Sequence, residues 1–147
     1  MIVRKAKPSD LEALSQLFDA YRQFYQQSSD LAGARNFLSA RMEQQESVVF
    51  VAENHGQLVG FTQLYPSFSS VTMQRLWILN DLFVDSNVRK HGVAQALMAA
   101  AKEFAEQTGS KGIILETDLD NIQAQALYDK IGYEKQTATY HYFLPIN

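Results

Sequence analysis

The chain has 147 residues, 46% of them hydrophobic and 20% charged, with no cysteine and a formal net charge of −3. These values describe one globular domain (1–147) able to bury about two-thirds of its unfolded surface, and they exclude a disulfide framework, a cysteine metal site and a cysteine nucleophile. They also argue against a nucleic-acid partner, which needs a concentrated basic face, and against a membrane span, which needs roughly 18 apolar residues in a row. The amino terminus shows no signal-peptide pattern, so a cytoplasmic location is expected.

Residues 1–7 read as a short strand. Ser9-Asp10-Leu11-Glu12 has capping-box spacing ahead of the periodic set Leu11, Leu14, Leu17, Phe18 and Tyr21, which predicts a helix from about Ser9. Ser28-Ser29-Asp30 precedes Ala34, Phe37, Leu38 and Met42 at helical spacing, and the connection between these two helices is a candidate substrate-side loop. The β-rich runs 48–52 and 58–61 flank Asn54-His55-Gly56-Gln57, a turn composition that predicts an antiparallel hairpin with His55 in the turn. A loop over 66–72 leads into 75–84, whose near-continuous apolar character predicts a central strand covered on both faces.

From about 90 to 108, Val93, Leu97, Ala101 and Phe104 form one helical stripe, with Gly109 as its C-terminal stop. Residues 113–115 read as a buried strand and 120–130 as a short helix stopped by Gly132. Two β-rich runs near 133–137 and 139–144 follow. The order β-α-α-β-β-β-α-β-α-β-β is a meander followed by a parallel crossover, hence an α/β protein with a mixed, mostly antiparallel sheet and helices on both faces.

The most informative stretch is Arg89-Lys90-His91-Gly92-Val93-Ala94, which falls where the apolar run Leu82-Phe83-Val84 gives way to a helix. A glycine turn that opens a helix presents unpaired N–H groups and the positive end of the helix dipole, an arrangement that favours a phosphate. By itself the hexapeptide also fits an ordinary loop with solvated basic residues. A second pattern, Asn121-x-x-Ala124-x-x-Leu127-Tyr128-x-x-x-Gly132-Tyr133, follows about thirty residues on.

In these two patterns the chain resembles the GNAT superfamily, the acyl-CoA-dependent N-acyltransferases. Arg89, Gly92 and Ala94 match its Arg/Gln-x-x-Gly-x-Gly/Ala signature, and Asn121, Ala124, Tyr128, Gly132 and Tyr133 match its downstream pattern. The stretch Asn80-Asp81-Leu82-Phe83-Val84 is similar to the Glu-Asp-Leu/Phe-Phe/Tyr-Val strand of diamine and polyamine acetyltransferases, with Asn80 standing where those relatives often carry a glutamate.

The resemblance implies that the strand holding Leu82, Phe83 and Val84 splays from its neighbour and pairs through its backbone with the pantetheine arm of acetyl-CoA. Arg89, Lys90, His91, Gly92, Val93, Ala94 and Gln95 would then wrap the pyrophosphate. Asn121 is either a contact to the pantetheine arm, a helix cap, or both. Tyr128 is the candidate general acid for the departing thiolate, since a phenol of pKa ~10 can protonate a thiolate whose acid has pKa ~8.5. As an aromatic at helical spacing it equally fits the apolar stripe with Ala124, Leu127 and Ile131.

Attack requires a deprotonated amine. Asp81 is the leading carboxylate for that base, with Glu116 and Asp118 behind it, and each also fits a paired structural carboxylate. The aromatics Tyr65, Phe68 and Trp77, with Tyr140-His141-Tyr142, either shape the acceptor pocket or serve as core or subunit interface. His55, His91 and His141 form no metal or triad spacing, so direct transfer without a metal is expected. The implied enzyme acetylates a primary amine, either a small diamine or polyamine or an amino-acid-like amine, and it is a homodimer. The alternatives are a protein or peptide lysine acetyltransferase and an acyl-CoA-binding sensor or scaffold without turnover.

Overall fold

The computed structural model describes residues 1–89 and 91–147, and packing divides the chain into two units, Met1–Glu116 and Thr117–Asn147. Unit 1 contains β1 (Ile2–Lys5), α1 (Leu11–Phe24), α2 (Leu31–Glu43), β2 (Val48–Asn54), β3 (Gln57–Ser69), β4 (Gln74–Val84), α3 (Val93–Gln107) and β5 (Gly112–Ile114). Its sheet has the order β1-β2-β3-β4-β5, antiparallel through β4 and parallel between β4 and β5.

Local chemistry explains the element boundaries. α1 does not begin at a Ser9 cap: Pro8–Asp10 form a single 3-10 turn, and the Asp10 carboxylate accepts the Lys7 N–H at 2.7 Å and the Arg4 guanidinium at 2.8 and 3.0 Å. The Arg4 contact is the main reason that carboxyl is held below its ordinary pKa. α2 starts as expected, because the Asp30 side chain accepts the Gly33 N–H at 2.9 Å. His55 and Gly56, at φ 52° and 78°, form the tight turn between β2 and β3, a conformation suited to the twist of a hairpin.

The next hairpin is longer than the sequence suggested. β3 runs through Ser69 and pairs with β4 from Gly60–Val84 to Ser69–Gln74, so most of the expected 66–72 loop is strand. The middle of the sheet is therefore β3. Among the described residues β4 has a strand on its other side only at residues 76–78, opposite β5.

The two faces of the sheet follow the period of two along each strand. On one face Val49, Val51 and Phe61 pack with Leu14, Leu17 and Phe18 of α1 and Ala34 and Leu38 of α2. On the other, Phe50 and Trp77 place their rings 5.6 and 5.0 Å from Phe104 of α3. The α3 amino end can approach the sheet because residue 60 is glycine: a Cβ there would lie 2.9 Å from the Phe83 carbonyl and 3.2 and 3.3 Å from Val93 and Leu97 methyl carbons.

Two further expectations are corrected. β5 is not a buried strand, since Ile114 is half exposed. The final β-rich runs form no strand among the described residues: unit 2 holds the helix α4 (Ile122–Lys130) and no sheet of its own. Strand propensity is a preference for a pleated, half-buried surface, and unit 2 offers that segment no ladder of its own.

Candidate active site

The centre of the site is a β-bulge. β3 and β4 pair Gln63 with Asp81 and Leu64 with Leu79, leaving Asn80 as an extra, unopposed residue. Leu79 and Trp77 belong to the α3 face, where the Trp77 indole N–H donates to Thr108 Oγ1 at 3.0 Å. Strict alternation would put Asp81 there as well. The extra residue shifts the register by one, so Asp81 lies beside Gln63 on the α1 face instead, and Asn80 is left exposed at the kink.

Asp81 is 4% exposed and accepts from Gln63 Nε2 at 2.8 Å and from Asn80 Nδ2 at 3.1 Å. Gln63, fully buried, is itself oriented by the Ser47 hydroxyl, which donates to Gln63 Oε1 at 2.8 Å. Thr62 Oγ1 fixes the backbone by donating to the Asp81 carbonyl at 2.8 Å. Tyr21 of α1 donates to the Asn80 carbonyl at 3.4 Å, and burial, followed by the Asp81 charge, pushes its phenol well above the ordinary value. Tyr65 is pushed up to about 12 by the same two causes. Among the described residues no arginine or lysine pairs with Asp81, and each hydrogen-bond partner donates to it. A buried carboxylate surrounded only by neutral donors leaves its charge without a counter-ion among the described residues.

Beyond residue 78 the outer edge of β4 has no strand beside it among the described residues, so residues 79–84 keep a backbone edge open. Phe83 points to the α1 face, its ring 6.4 Å from Phe61 and 6.0 Å from Tyr21. Arg89 folds back over this end of the strand: its Nε donates to the Val84 carbonyl at 3.0 Å, and its guanidinium lies 5.7 Å from the Phe83 ring and 6.0 Å from Phe24.

Gly92 then adopts φ 76° as the cap of α3, and nothing lies within 4 Å of the position its Cβ would take. The N–H groups of the first helical turn, Val93, Ala94 and Gln95, follow directly. The Val93 side chain is core, so any ligand contact there uses backbone. His91 is exposed. Lys90 lies outside the described residues.

In unit 2, the Asn121 side chain accepts the Ala124 N–H at 3.2 Å, so asparagine and not Asp120 caps α4. Tyr128 lies on this helix with its ring 6.0 Å from that of Tyr133, and no residue of the helix is fully buried. Gly132, at φ 102°, follows the helix end.

The sequence pattern of the acetyltransferase (GNAT) family matches residues 12–133. The chain belongs to that family. It is 50% identical over 146 residues to an uncharacterized N-acetyltransferase, YhfO, of Bacillus subtilis (strain 168), covering 99% of this chain and 98% of that one. A probable acetyltransferase of Haemophilus influenzae is 36% identical over 113 residues, 76% of this chain and 77% of the other. A crystal structure of a probable acetyltransferase superposes with a TM-score of 0.95 at 38% identity, covering 100% of this chain and 99% of that chain. The protein is therefore a GNAT acetyltransferase.

In this GNAT enzyme the residues expected to serve chemistry fall into separate groups. Asp81, Leu82, Phe83, Val84, Arg89 and Gly92 follow one another along the β4–α3 segment of unit 1, whereas Asn121 and Tyr128 belong to unit 2. Trp77 is core against α3 and not part of an acceptor wall, while Tyr65 does stand close enough to Asp81 to feel its charge. Three contributors were missed: Gln63, Ser47 and Tyr21. In the sequence Tyr21 falls in the apolar stripe of α1, and Gln63, in a run of β-formers, carries the one available signal, a polar side chain at a core position.

Proposed function

We propose that this acetyltransferase moves the acetyl group of acetyl-CoA directly to a primary amine, a small diamine or polyamine or an amino-acid-like amine, in a ternary complex. The observation that carries the acceptor half is Asp81, a buried carboxylate with donors around it and no described cation against it. An ammonium supplies that cation. Removing a proton from an amine of pKa ~10.4 costs roughly 4–5 kcal/mol at pH 7, and Asp81 is the group placed to take it, directly or through water.

The donor half rests on the open edge of β4 and the Gly92 turn. The backbone of Leu82, Phe83 and Val84 suits a pantetheine arm laid down as an added strand. The N–H groups of Val93, Ala94 and Gln95 suit a pyrophosphate, with Arg89, Lys90 and His91 alongside, and the space left by the missing Gly92 side chain fits close approach of the phosphates. From the family resemblance, Asn121 contacts the arm while capping α4, and Tyr128 protonates the departing thiolate.

In the reaction the ammonium gives one proton through Asp81 to solvent, a bond forms between nitrogen and the acetyl carbon, and the carbon–sulfur bond breaks. The nitrogen releases its second proton as the amide forms, which balances the proton Tyr128 gives to the CoA sulfur. The same reading includes a homodimer, on resemblance alone.

Acetyl-CoA titrated calorimetrically, followed by CoASH release across an amine panel, tests the proposal. Saturable binding with amine-dependent release supports it. Binding without release for any amine leaves an acyl-CoA-binding module, and absence of binding at millimolar ligand overturns the whole reading.

A further inference from the structure

We propose that Tyr21 is a catalytic residue: its phenol stands between the acceptor amine and the buried Asp81 and carries the amine's proton to that carboxylate. The proposal rests on the acetyl-transfer reading above and supplies the route by which its base is reached.

Asp81 needs such a route. It is 4% exposed, and each of its oxygens is covered by a side-chain amide, Oδ2 by Gln63 Nε2 at 2.8 Å and Oδ1 by Asn80 Nδ2 at 3.1 Å. An amide N–H donates a hydrogen bond but has no lone pair with which to take up a proton in exchange, so neither group can pass one inward. A hydroxyl both donates and accepts. The bulge at Asn80 turns Asp81 to the α1 face, and Tyr21 brings a hydroxyl of α1 to it. That residue is only partly buried, so an amine arriving from solvent meets the phenol before the carboxylate.

The ring is held in place by packing. Its centroid lies 6.2 Å from Phe18 and 5.2 Å from Tyr25, one turn away on either side along α1, and 5.7 and 6.0 Å from Phe61 of β3 and Phe83 of β4. The hydroxyl reaches two acceptors, the Asn80 carbonyl and the Asp81 carboxylate. Its contact to the carbonyl, at 3.4 Å, is long for an O–H donor, which leaves the proton free to turn to Asp81.

The phenol works as a neutral relay and not as a phenolate. Burial, then the charge and hydrogen bond of Asp81, then Tyr25 and Tyr65 all oppose its ionisation, while Arg41 of α2 acts in the opposite sense on Tyr65. In the step itself the phenol oxygen takes one proton from the ammonium as its own proton passes to Asp81. The nitrogen gains the lone pair that attacks the thioester, Tyr21 ends as it began, and Asp81 is a neutral acid. Once the amide product has left, the proton returns through Tyr21 to water.

The test follows CoASH release by the intact chain with saturating acetyl-CoA and propylamine, putrescine, spermidine, 2-phenylethylamine or lysine, continued with whichever amine turns over fastest. Tyr21→Phe keeps the ring contacts and removes only the hydroxyl. With folding checked by urea denaturation, it should lower kcat/KM for the amine at least about tenfold near neutral pH, leave the KM for acetyl-CoA unchanged, and lose this deficit as pH approaches the amine pKa. In an Asp81→Asn background the same change should cost at most about twofold, since the relay then has no acceptor to serve; a merely structural role costs the same factor in both backgrounds. A loss smaller than tenfold, a larger cost in the D81N background, or a greater loss in Tyr65→Phe than in Tyr21→Phe overturns the inference and leaves acetyl transfer standing. Absence of CoASH release with every amine overturns both.

Discussion

Replacing Asp81 with asparagine removes a charge while keeping the shape, and the contacts around it decide what that does. Gln63 is held by Ser47 with its amide N–H toward Asp81, so the new side chain must keep its oxygen on the Gln63 side and turn its NH2 toward Asn80. Asn80 is exposed and free to rotate away, so only its bond at 3.1 Å is lost. The folding cost is then about 1 kcal/mol, a fall in Tm of about 2–4 °C for a chain of this size. The catalytic cost is larger: loss of a positioned base removes about 10²–10⁴ in rate, and loss of the counter-charge weakens ammonium binding as well.

The assay is CoASH release read with a thiol reagent. Because the chain has no cysteine, the signal reports product alone. We expect kcat/KM for the amine in D81N to fall at least ~100-fold at pH 7. The deficit should shrink as pH approaches the amine pKa, where free base is abundant. A folded D81N enzyme that keeps more than about a third of wild-type kcat/KM would refute the assignment of Asp81 as the amine's proton acceptor, since this exceeds by far what loss of a general base leaves.

Gly60→Ala places a Cβ 2.9 Å from the Phe83 carbonyl and tight against Val93 and Leu97; a loss of about 1–3 kcal/mol in urea denaturation is expected, and an unchanged midpoint would contradict the packing described. Gly92→Ala meets no atom but must hold φ 76°, so it should cost only about 1–2 kcal/mol in stability while raising the KM for acetyl-CoA much more than the KM for the amine. Ser47→Ala frees the Gln63 amide to turn, and it should lower kcat while leaving the KM for acetyl-CoA unchanged; equal effects on both would point to misfolding. The raised phenols give the alkaline limb its sign: folded Tyr65 keeps its proton up to about 12 while the unfolded chain loses it near ~10. Stability is therefore complete below pH ~10 and declines as pH rises toward 12. The urea midpoint should drop between pH 9 and 11, less steeply in Tyr65→Phe, and a rising midpoint would contradict the sign.

Periodicity and turn chemistry made most of unit 1 readable. The stripe Val93, Leu97, Ala101 and Phe104 defines α3, and Asn54 to Gln57 defines the hairpin, because helical spacing and positive-φ turn residues are local properties. The bulge at Asn80 is not local: it exists because β3 and β4 come into register differently on its two sides, and no residue in 75–84 announces it. Without it the alternation assigns Asp81 to the wrong face, and the Ser47–Gln63–Asp81 chain, assembled from three strand or strand-flanking segments, stays invisible. The carboxyl-terminal runs failed in the opposite direction, since alternating Thr, Tyr and Phe signal strand propensity without supplying a ladder.

The central claim is that the open edge of β4 and the first turn of α3 receive the acyl donor beside Asp81. Hydrogen exchange of backbone amides with and without saturating CoA tests it at the residues concerned. The account predicts new protection between residues 79 and 84 and at Val93, Ala94 and Gln95, with β1 and β2 unaffected. CoA that binds while those amides exchange at their free rates would place the donor elsewhere and contradict it.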